Sequence, residues 1–183
     1  MATKFVNGIN MYYEIHGEGE PLVMIMGLRR NVEWWHKQVP VLSRHFRVLV
    51  FDNRGAGRSD KPEMDYSIRL FAEDTAELMR LTGMESANVL GYSMGGYIGQ
   101  ELAVNYPGMV RRLVLAATSA GGENAVMMSP ERMAKFTAIE GLTPEEPART
   151  EKVLTIYPLR TGTKPVFNIL QPRRLRRRTP PSA

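Results

Sequence analysis

A serine between two glycines, directly after a short apolar run, restricts the fold of this chain more than any other segment. Residues 89–96 read Val-Leu-Gly-Tyr-Ser-Met-Gly-Gly. This pattern is typical of a sharp turn from a strand into a helix that raises the serine hydroxyl above the sheet, and the positions two before and two after the serine must then be small. Gly91 and Gly95 supply that space. The pattern predicts Ser93 as a nucleophile at a helix N-terminus, where backbone N–H groups stabilise an anion.

Short apolar runs alternate with helical patterns through the first two thirds of the chain. Strands are predicted at residues 4–6, 9–16, 22–26, 47–51, 87–90 and 112–116, and Asn7-Gly8 predicts a tight hairpin between the first two. The runs from 22–26 onward are expected to be buried. Helical patterns are predicted at residues 32–43, where Pro40 interrupts the pattern, and at 67–82 and 95–106. This alternation indicates an α/β fold with a mostly parallel sheet and helices on both faces.

The composition excludes several kinds of site. The 183 residues, of which 43% are hydrophobic, suffice for one sizeable core. The chain contains no cysteine, so it has no disulfide, thiolate nucleophile or thiolate-bound metal. No apolar stretch reaches the ~18 residues that a membrane span requires, and no secretory leader is recognisable. We therefore expect a cytoplasmic protein that does not bind membranes.

The net charge of +5 is concentrated near the C-terminus. Residues 172–183 hold five arginines and no acid, which leaves 19 basic and 19 acidic residues in the rest of the chain. We therefore expect no nucleic-acid partner despite the basic segment. Two interpretations of this segment stay open. It is either a nucleic-acid, membrane or localisation patch, or a stretch of out-of-frame residues in place of a natural C-terminal half, and we adopt the second.

Three segments, in order along the chain, resemble the α/β-hydrolase superfamily. Residues 24–28 (Met-Ile-Met-Gly-Leu) stand where that family has its oxyanion loop, residues 51–60 (Phe-Asp-Asn-Arg-Gly-Ala-Gly-Arg-Ser-Asp) resemble its glycine-rich loop, and residues 91–96 resemble its nucleophile elbow. The resemblance covers about residues 5–122. It implies an α/β-hydrolase-type core over 1–122 with an incomplete C-terminal half and a partial helical cap over 123–163. The Pro- and Arg-rich composition of residues 164–183 separately predicts a disordered tail.

The same resemblance implies the parts of a serine-hydrolase site. Ser93 would attack a carbonyl carbon, and the backbone N–H groups of Met94 and Leu28 would bind the developing oxyanion. Gly27 would support the earlier loop, although a plain strand-to-helix turn is the alternative for Gly27 and Leu28. Met26 stands where many relatives have histidine. No metal and no organic cofactor is implied.

The chain has no recognisable base for this serine. His16, His36 and His45 all precede Ser93, whereas the family order is serine, then acid, then histidine. Glu123 is a candidate for the triad acid because it follows the sixth predicted strand, although that acid more often comes after the cap. The triad acid is therefore open, and the triad base is absent from the chain.

These residues predict a serine hydrolase whose substrate is a small ester, lactone or similar carbonyl compound, with activity impaired or absent because the histidine is missing. One alternative is a catalytically dead, hydrolase-like binding module. Another is a relative of the cofactor-free haloperoxidases or the acyltransferases. The sequence leaves open whether this chain is itself an enzyme.

Charged and aromatic residues near the predicted loops have two interpretations each. Asp52, Arg54 and Arg58 are either catalytic or, as we prefer, paired for structural reasons. Trp34 and Trp35 either line a substrate pocket or, as is more common for large aromatics beside a sheet, belong to the core.

The sixth predicted strand, at residues 112–116, has no strand signature after it within the chain. Its backbone groups and apolar faces are expected to be uncovered, so we expect self-association through this sheet edge.

Overall fold

The computed structural model describes residues 2–121 together with residues 129, 131 and 132. Its strands are β1 (Ala2–Val6), β2 (Ile9–His16), β3 (Glu20–Ile25), β4 (Phe46–Phe51), β5 (Ala87–Tyr92) and β6 (Val110–Ala116). Its α-helices are α1 (Val39–Leu42), α2 (Ile68–Leu81) and α3 (Met94–Asn105), and 3-10 helices lie at Val32–Trp35 and Pro107–Met109. All six predicted strands are present.

The six strands form one mixed sheet in the order β1-β2-β4-β3-β5-β6. The hairpin strands β1 and β2 are antiparallel to each other, and β2 is antiparallel to β4. The strands β4, β3, β5 and β6 are mutually parallel. Residues Asn7 and Gly8 both have positive φ, at 44° and 84°, as the tight hairpin turn requires. The predicted α/β class and the mostly parallel sheet are thus confirmed.

Alternate residues of the central strands enter two different cores. Val23 and Ile25 face one core together with the buried sides of α2 and α3. Leu22 and Met24 face the second core, which also contains Trp35 of the first 3-10 helix. Because side chains of a strand point to opposite faces in turn, helices cover both sides of the sheet. The central strands are buried on both faces as predicted.

The predicted helix over residues 67–82 is confirmed to within one residue at each end. Ser67 caps α2 by accepting a hydrogen bond from the Leu70 N–H, and the helix is followed by Gly83 at a φ of 70°. The helix predicted over 32–43 is instead two short helices. Pro40 lies at the first turn of α1, where a missing N–H costs nothing, but it does not permit continuation of a helix from the preceding residues.

The prediction that residues 112–116 form a buried strand is wrong with respect to burial. The strand is present as β6, but Val114 is 52% exposed and Leu115 is 40% exposed. Within the described part of the chain, β6 pairs with β5 on one side only. The apolar run therefore predicted the strand correctly but not its exposure, because exposure depends on which other elements pack against the strand.

A buried ion pair ties α2 to the loop after β4. The Arg54 guanidinium donates to both carboxylate oxygens of Asp74, at 2.7 and 2.8 Å, and to the carbonyl of Asn7 at 3.0 Å. The Asn7 side chain donates to Asp74 at 3.0 Å. The hydrogen bonds that Arg54 donates to Asp74 raise the pKa of Arg54 above its ordinary value. Arg54 thus has the structural role that we preferred, and it joins the hairpin, the loop and α2.

Most of the predicted cap over 123–163 and all of the predicted tail over 164–183 lie outside the described residues, and so does Glu123. Among the residues that are described, no helix combines the length and apolar character needed to cross a membrane.

We predict that the exposed edge at β6 causes self-association, and that Val114→Lys reduces it. A lysine on an edge strand disfavours pairing with another strand because its charge would be desolvated. Light scattering after size exclusion, over a range of protein concentrations, should show a mass that rises for the wild type and stays at one chain for the variant. Val104→Lys is the matched control, because Val104 is an equally exposed valine on α3. A wild-type monomer at every concentration would contradict the prediction.

Candidate active site

Ser93 lies at the turn between β5 and α3, at the carboxyl end of the parallel strands. Its φ of 54° and ψ of −120° lie in a region that L-residues rarely adopt. The Ser93 N–H donates to the carbonyl of Ala116 on β6 at 2.9 Å, and the Ser93 carbonyl accepts from the Gly96 N–H at 2.9 Å. These backbone hydrogen bonds hold the strained residue in place. Its side chain is partly exposed.

The glycines around Ser93 are required by close backbone contacts. A β-carbon at Gly91 would overlap the backbone of Gly95 and lie 2.7 Å from the Gly96 Cα. A β-carbon at Gly95 would overlap the carbonyl of Ile25 on the neighbouring strand β3. The turn is therefore packed directly against the end of β3, and no side chain fits between them.

The loop after β3 reaches the serine side chain. A β-carbon built at Gly27 would lie 3.1 Å from the Ser93 Cβ and 3.5 Å from the Ser93 Oγ. Leu28 follows in a turn closed by a hydrogen bond from the Arg30 N–H to the Gly27 carbonyl, at 3.3 Å. Over residues 2–121, the N–H groups of Leu28 and Met94 donate no hydrogen bond. The structure thus brings together the four residues 27, 28, 93 and 94 that the sequence singled out.

Two side chains from the loop after β4 hold the loop after β3 at both ends. The Asn53 amide donates to the carbonyl of Met26 at 3.1 Å, and the buried carboxylate of Asp52 accepts from the Val32 N–H at 2.7 Å. Asp52 also accepts from the Arg58 N–H at 2.8 Å. Because both side chains are buried, these hydrogen bonds are protected from water. Asp52 has a structural role, and no pattern in the sequence indicated the role of Asn53.

No histidine among the described residues is hydrogen-bonded to Ser93. His16 pairs with Glu14 at 2.7 Å, and His36 bonds the Glu33 carbonyl at 3.0 Å. Burial would raise the pKa of Glu14, but hydrogen bonds from Tyr12 and His16 outweigh it and lower that pKa below its ordinary value. Glu14 and His16 belong to β2, and Glu33 and His36 belong to the first 3-10 helix and its C-terminus. Within the same part of the chain, no group of three or more His, Asp or Glu side chains is arranged to hold a metal ion.

The two tryptophans have different environments. Trp35 is buried in the second core and meets the Tyr92 ring edge-on, with centroids 6.5 Å apart. Trp34 is 51% exposed, and the Arg30 guanidinium lies 3.7 Å from its ring centroid. The core interpretation thus holds for Trp35 but not for Trp34. No pattern in the sequence indicated the contact between Arg30 and Trp34.

Comparison with known proteins gives a consistent set of relatives. The alpha/beta hydrolase fold family model matches residues 20–157. A protein of Azorhizobium caulinodans, named as a proposed carbamate hydrolase RutD, is 37% identical over 58% of this chain and 40% of its own length. A protein of Mycobacterium tuberculosis, named as a proposed non-heme bromoperoxidase BpoC, is 39% identical over 60% of this chain and 42% of its own length.

Among solved structures, the enol-lactonase from Burkholderia xenovorans LB400 superposes with a TM-score of 0.68 at 32% identity. The superposition covers 82% of this chain and 57% of that enzyme. This chain spans less than half of the length of the curated relatives that it matches.

We predict that Gly95→Ala destabilises the fold, because the new methyl group would overlap the Ile25 carbonyl, which is backbone and has little freedom to move. The expected loss in the free energy of unfolding is about 3 kcal/mol. Gly108→Ala is the matched control. Its β-carbon meets nothing within 4 Å, so a change of less than about 0.5 kcal/mol is expected. Urea unfolding measures both, and equal midpoints for the two variants would refute the packing argument.

We also predict that Asn53→Ala loosens the loop after β3. The substitution leaves the buried Met26 carbonyl without its donor, which costs about 1–3 kcal/mol. Hydrogen exchange read by mass spectrometry should be faster for a peptide spanning residues 26–32, while peptides from α2 keep their wild-type protection. Asn105→Ala, which removes an exposed asparagine from α3, should leave both peptides unchanged. Unchanged exchange in the Asn53 variant would show that the amide does not hold the loop.

Proposed function

Because this chain belongs to the alpha/beta hydrolase fold family, we propose that its serine turn acts on a carbonyl compound, with Ser93 as the nucleophile. The observation that carries the proposal is the contact between the Ser93 side chain and the Gly27 loop. It is supported by the backbone N–H groups of Leu28 and Met94, the residues that follow Gly27 and Ser93, for which the described part of the chain shows no backbone acceptor. Those are the components of an oxyanion site.

The proposed reaction has two steps. The Ser93 oxygen bonds to the carbonyl carbon, the oxyanion accepts hydrogen bonds from the Leu28 and Met94 N–H groups, and the carbon–oxygen bond to the alcohol breaks. The departing alkoxide takes the serine proton. Water then attacks the acyl-serine and gives the free acid and the regenerated hydroxyl. For a lactone, the acid and the alcohol remain parts of one product.

Turnover by this chain is proposed to be slow, because no histidine follows Ser93 and none of the preceding three is hydrogen-bonded to it. A serine hydroxyl is a weak nucleophile until a base removes its proton. Binding and an oxyanion site without the triad still provide an acceleration of about 10³- to 10⁴-fold over the uncatalysed reaction. We therefore propose that Ser93 reacts with activated electrophiles and turns over ordinary esters poorly.

Small esters and lactones are the proposed substrates. This choice is supported by the similarity to an enol-lactonase over most of the described chain. A bromoperoxidase-like activity is a second candidate, supported by the similarity to the Mycobacterium tuberculosis protein. A hydrolase-like module that binds a carbonyl or anionic ligand without turnover is a third, supported by the partners of His16 and His36, which are Glu14 and the Glu33 carbonyl and not Ser93.

We predict that a fluorophosphonate probe labels the purified chain at Ser93. The probe needs only a nucleophile and an oxyanion site, because fluoride is a good leaving group. Mass spectrometry of the labelled peptide identifies the serine, and p-nitrophenyl acetate hydrolysis measures turnover. Ser93→Ala should abolish labelling. Ser86→Ala is the control, because Ser86 precedes β5 at the opposite end of the strand, where its hydroxyl accepts from Arg111.

Labelling at Ser93 with slow ester turnover would support the proposal. No labelling of the wild type would refute Ser93 as a nucleophile in this chain and favour the binding module. Bromination of monochlorodimedone in the presence of bromide, peroxide and acetate, lost in Ser93→Ala, would favour the bromoperoxidase-like activity.

A further inference from the structure

A second concave site lies between β2 and the first 3-10 helix, and we call it the β2 cleft. It has a volume of about 250 Å³, and its walls come from β2, the 3-10 helix, α1, β4 and the loop after β4. None of residues 27, 28, 93 and 94 lines it. Sites for drug-sized ligands occupy roughly 300–1,000 Å³, so the β2 cleft suits a smaller molecule.

One wall of the β2 cleft is apolar. Val32, Trp35 and Val50 line it and are buried members of the second core, and Val39 lines it while packing against that core. Because these side chains are held by the core, the wall exists before any ligand arrives. An apolar group placed against it leaves water, which is favourable.

The other wall of the β2 cleft carries more negative than positive charge. The Arg58 guanidinium lies 3.5 Å from the Asp52 carboxylate, 3.8 Å from that of Glu14 and 4.0 Å from that of Glu33. Asp52 is completely buried, so its charge requires a close partner, and Arg58 is that partner. One positive charge therefore faces three carboxylates, and Glu14 and Glu33 keep most of their negative potential.

Both of these glutamates can accept further hydrogen bonds. Glu14 accepts from the Tyr12 hydroxyl at 2.6 Å and pairs with His16 at 2.7 Å, which uses two of about four acceptor positions of a carboxylate. Burial acts to raise the pKa of Glu14, but these hydrogen bonds hold it below its ordinary value, so the group is charged. The Glu33 carboxylate is 72% exposed and is too far from Arg58 for a hydrogen bond.

We propose that the β2 cleft binds a small organic ammonium ion with an apolar body of about one ring. The ammonium group donates to Glu33 and Glu14, and the ring lies on the apolar wall that contains Trp35 and Val50. A primary ammonium is compact and has three donors, which suits two carboxylates that approach from different elements. An anion of the same shape is repelled by the two glutamates, and a neutral molecule gains only the apolar contact.

The first test compares three probes of one shape, namely phenethylammonium, 2-phenylethanol and 3-phenylpropionate. Isothermal titration at about pH 8, where imidazole is ordinarily uncharged, keeps the cleft at its most negative. Phenethylammonium should bind at least about fivefold more tightly than the alcohol, as expected for an ion pair at the protein surface, and the carboxylate should bind most weakly. Equal binding of the ammonium and the alcohol, or tighter binding of the carboxylate, would overturn the proposal.

A charge-removing substitution tests the residues of the site. Glu33→Gln should weaken phenethylammonium binding by about fivefold and leave 2-phenylethanol binding unchanged, because only the charge is lost. Glu77→Gln is the matched control, since Glu77 is a glutamate of α2 that also pairs with an arginine, Arg80, at 3.2 Å. Urea unfolding of both variants checks that they are folded. Equal weakening by the two substitutions would refute the assignment to the β2 cleft.

The three histidines of the chain report where the ligand lies. His16 and His36 line the β2 cleft, whereas His45 does not. In a nuclear magnetic resonance titration, the aromatic ring of bound phenethylammonium should shift the imidazole signals of His16 and His36 and leave that of His45 in place. Single His→Gln variants assign the three signals. Equal shifts of all three, or a shift of His45 alone, would contradict binding in the cleft.

Discussion

The close approach of the β5–α3 turn to the end of β3 is the contact on which the site depends. Gly91 and Gly95 permit it, because any side chain at either position would overlap neighbouring backbone. The consequence is that Gly27 lies against the Ser93 side chain, so that two N–H groups and one hydroxyl from distant parts of the sequence share a small volume. Close-packed backbone does not deform easily, and this makes the arrangement rigid.

Polar side chains hold the loop after β3, which is not fixed by close backbone packing alone. The loop after β3 has irregular backbone, and its ends are bound by Asn53 and Asp52 from the neighbouring loop. That loop is itself held through Arg54, which pairs with Asp74 on α2. One set of buried and partly buried hydrogen bonds therefore connects the hairpin, the second helix and the loop after β3. The glycine contacts therefore position the serine turn, and these hydrogen bonds position the loop after β3.

The elements that the sequence predicted well depend on local chemistry. Asn7-Gly8 predicts its hairpin turn from the φ values that the turn requires, and α2 lies between a capping serine and a glycine. The contacts that the sequence did not predict join residues far apart in the chain, as in the pairing of Arg54 with Asp74 and of Asn53 with Met26. The exposure of β6 could not be read from its apolar run, because burial is a property of the neighbours as well as of the strand. The chemical role of Ser93 depends in the same way on groups that the fold brings to it from distant parts of the sequence.

The strand order also has a consequence for how the chain folds. The strand β3 lies between β4 and β5, both of which come after it in the sequence, so each must be added to it across a long connection. Contacts between distant residues form slowly, because the entropy of closing a long loop is lost before the contact is gained. The serine turn is completed only when β5 has joined β3, and it is therefore expected among the late events of folding. Reactivity at Ser93 would then report, in a refolding experiment, on assembly of the central sheet and not merely on formation of local helices.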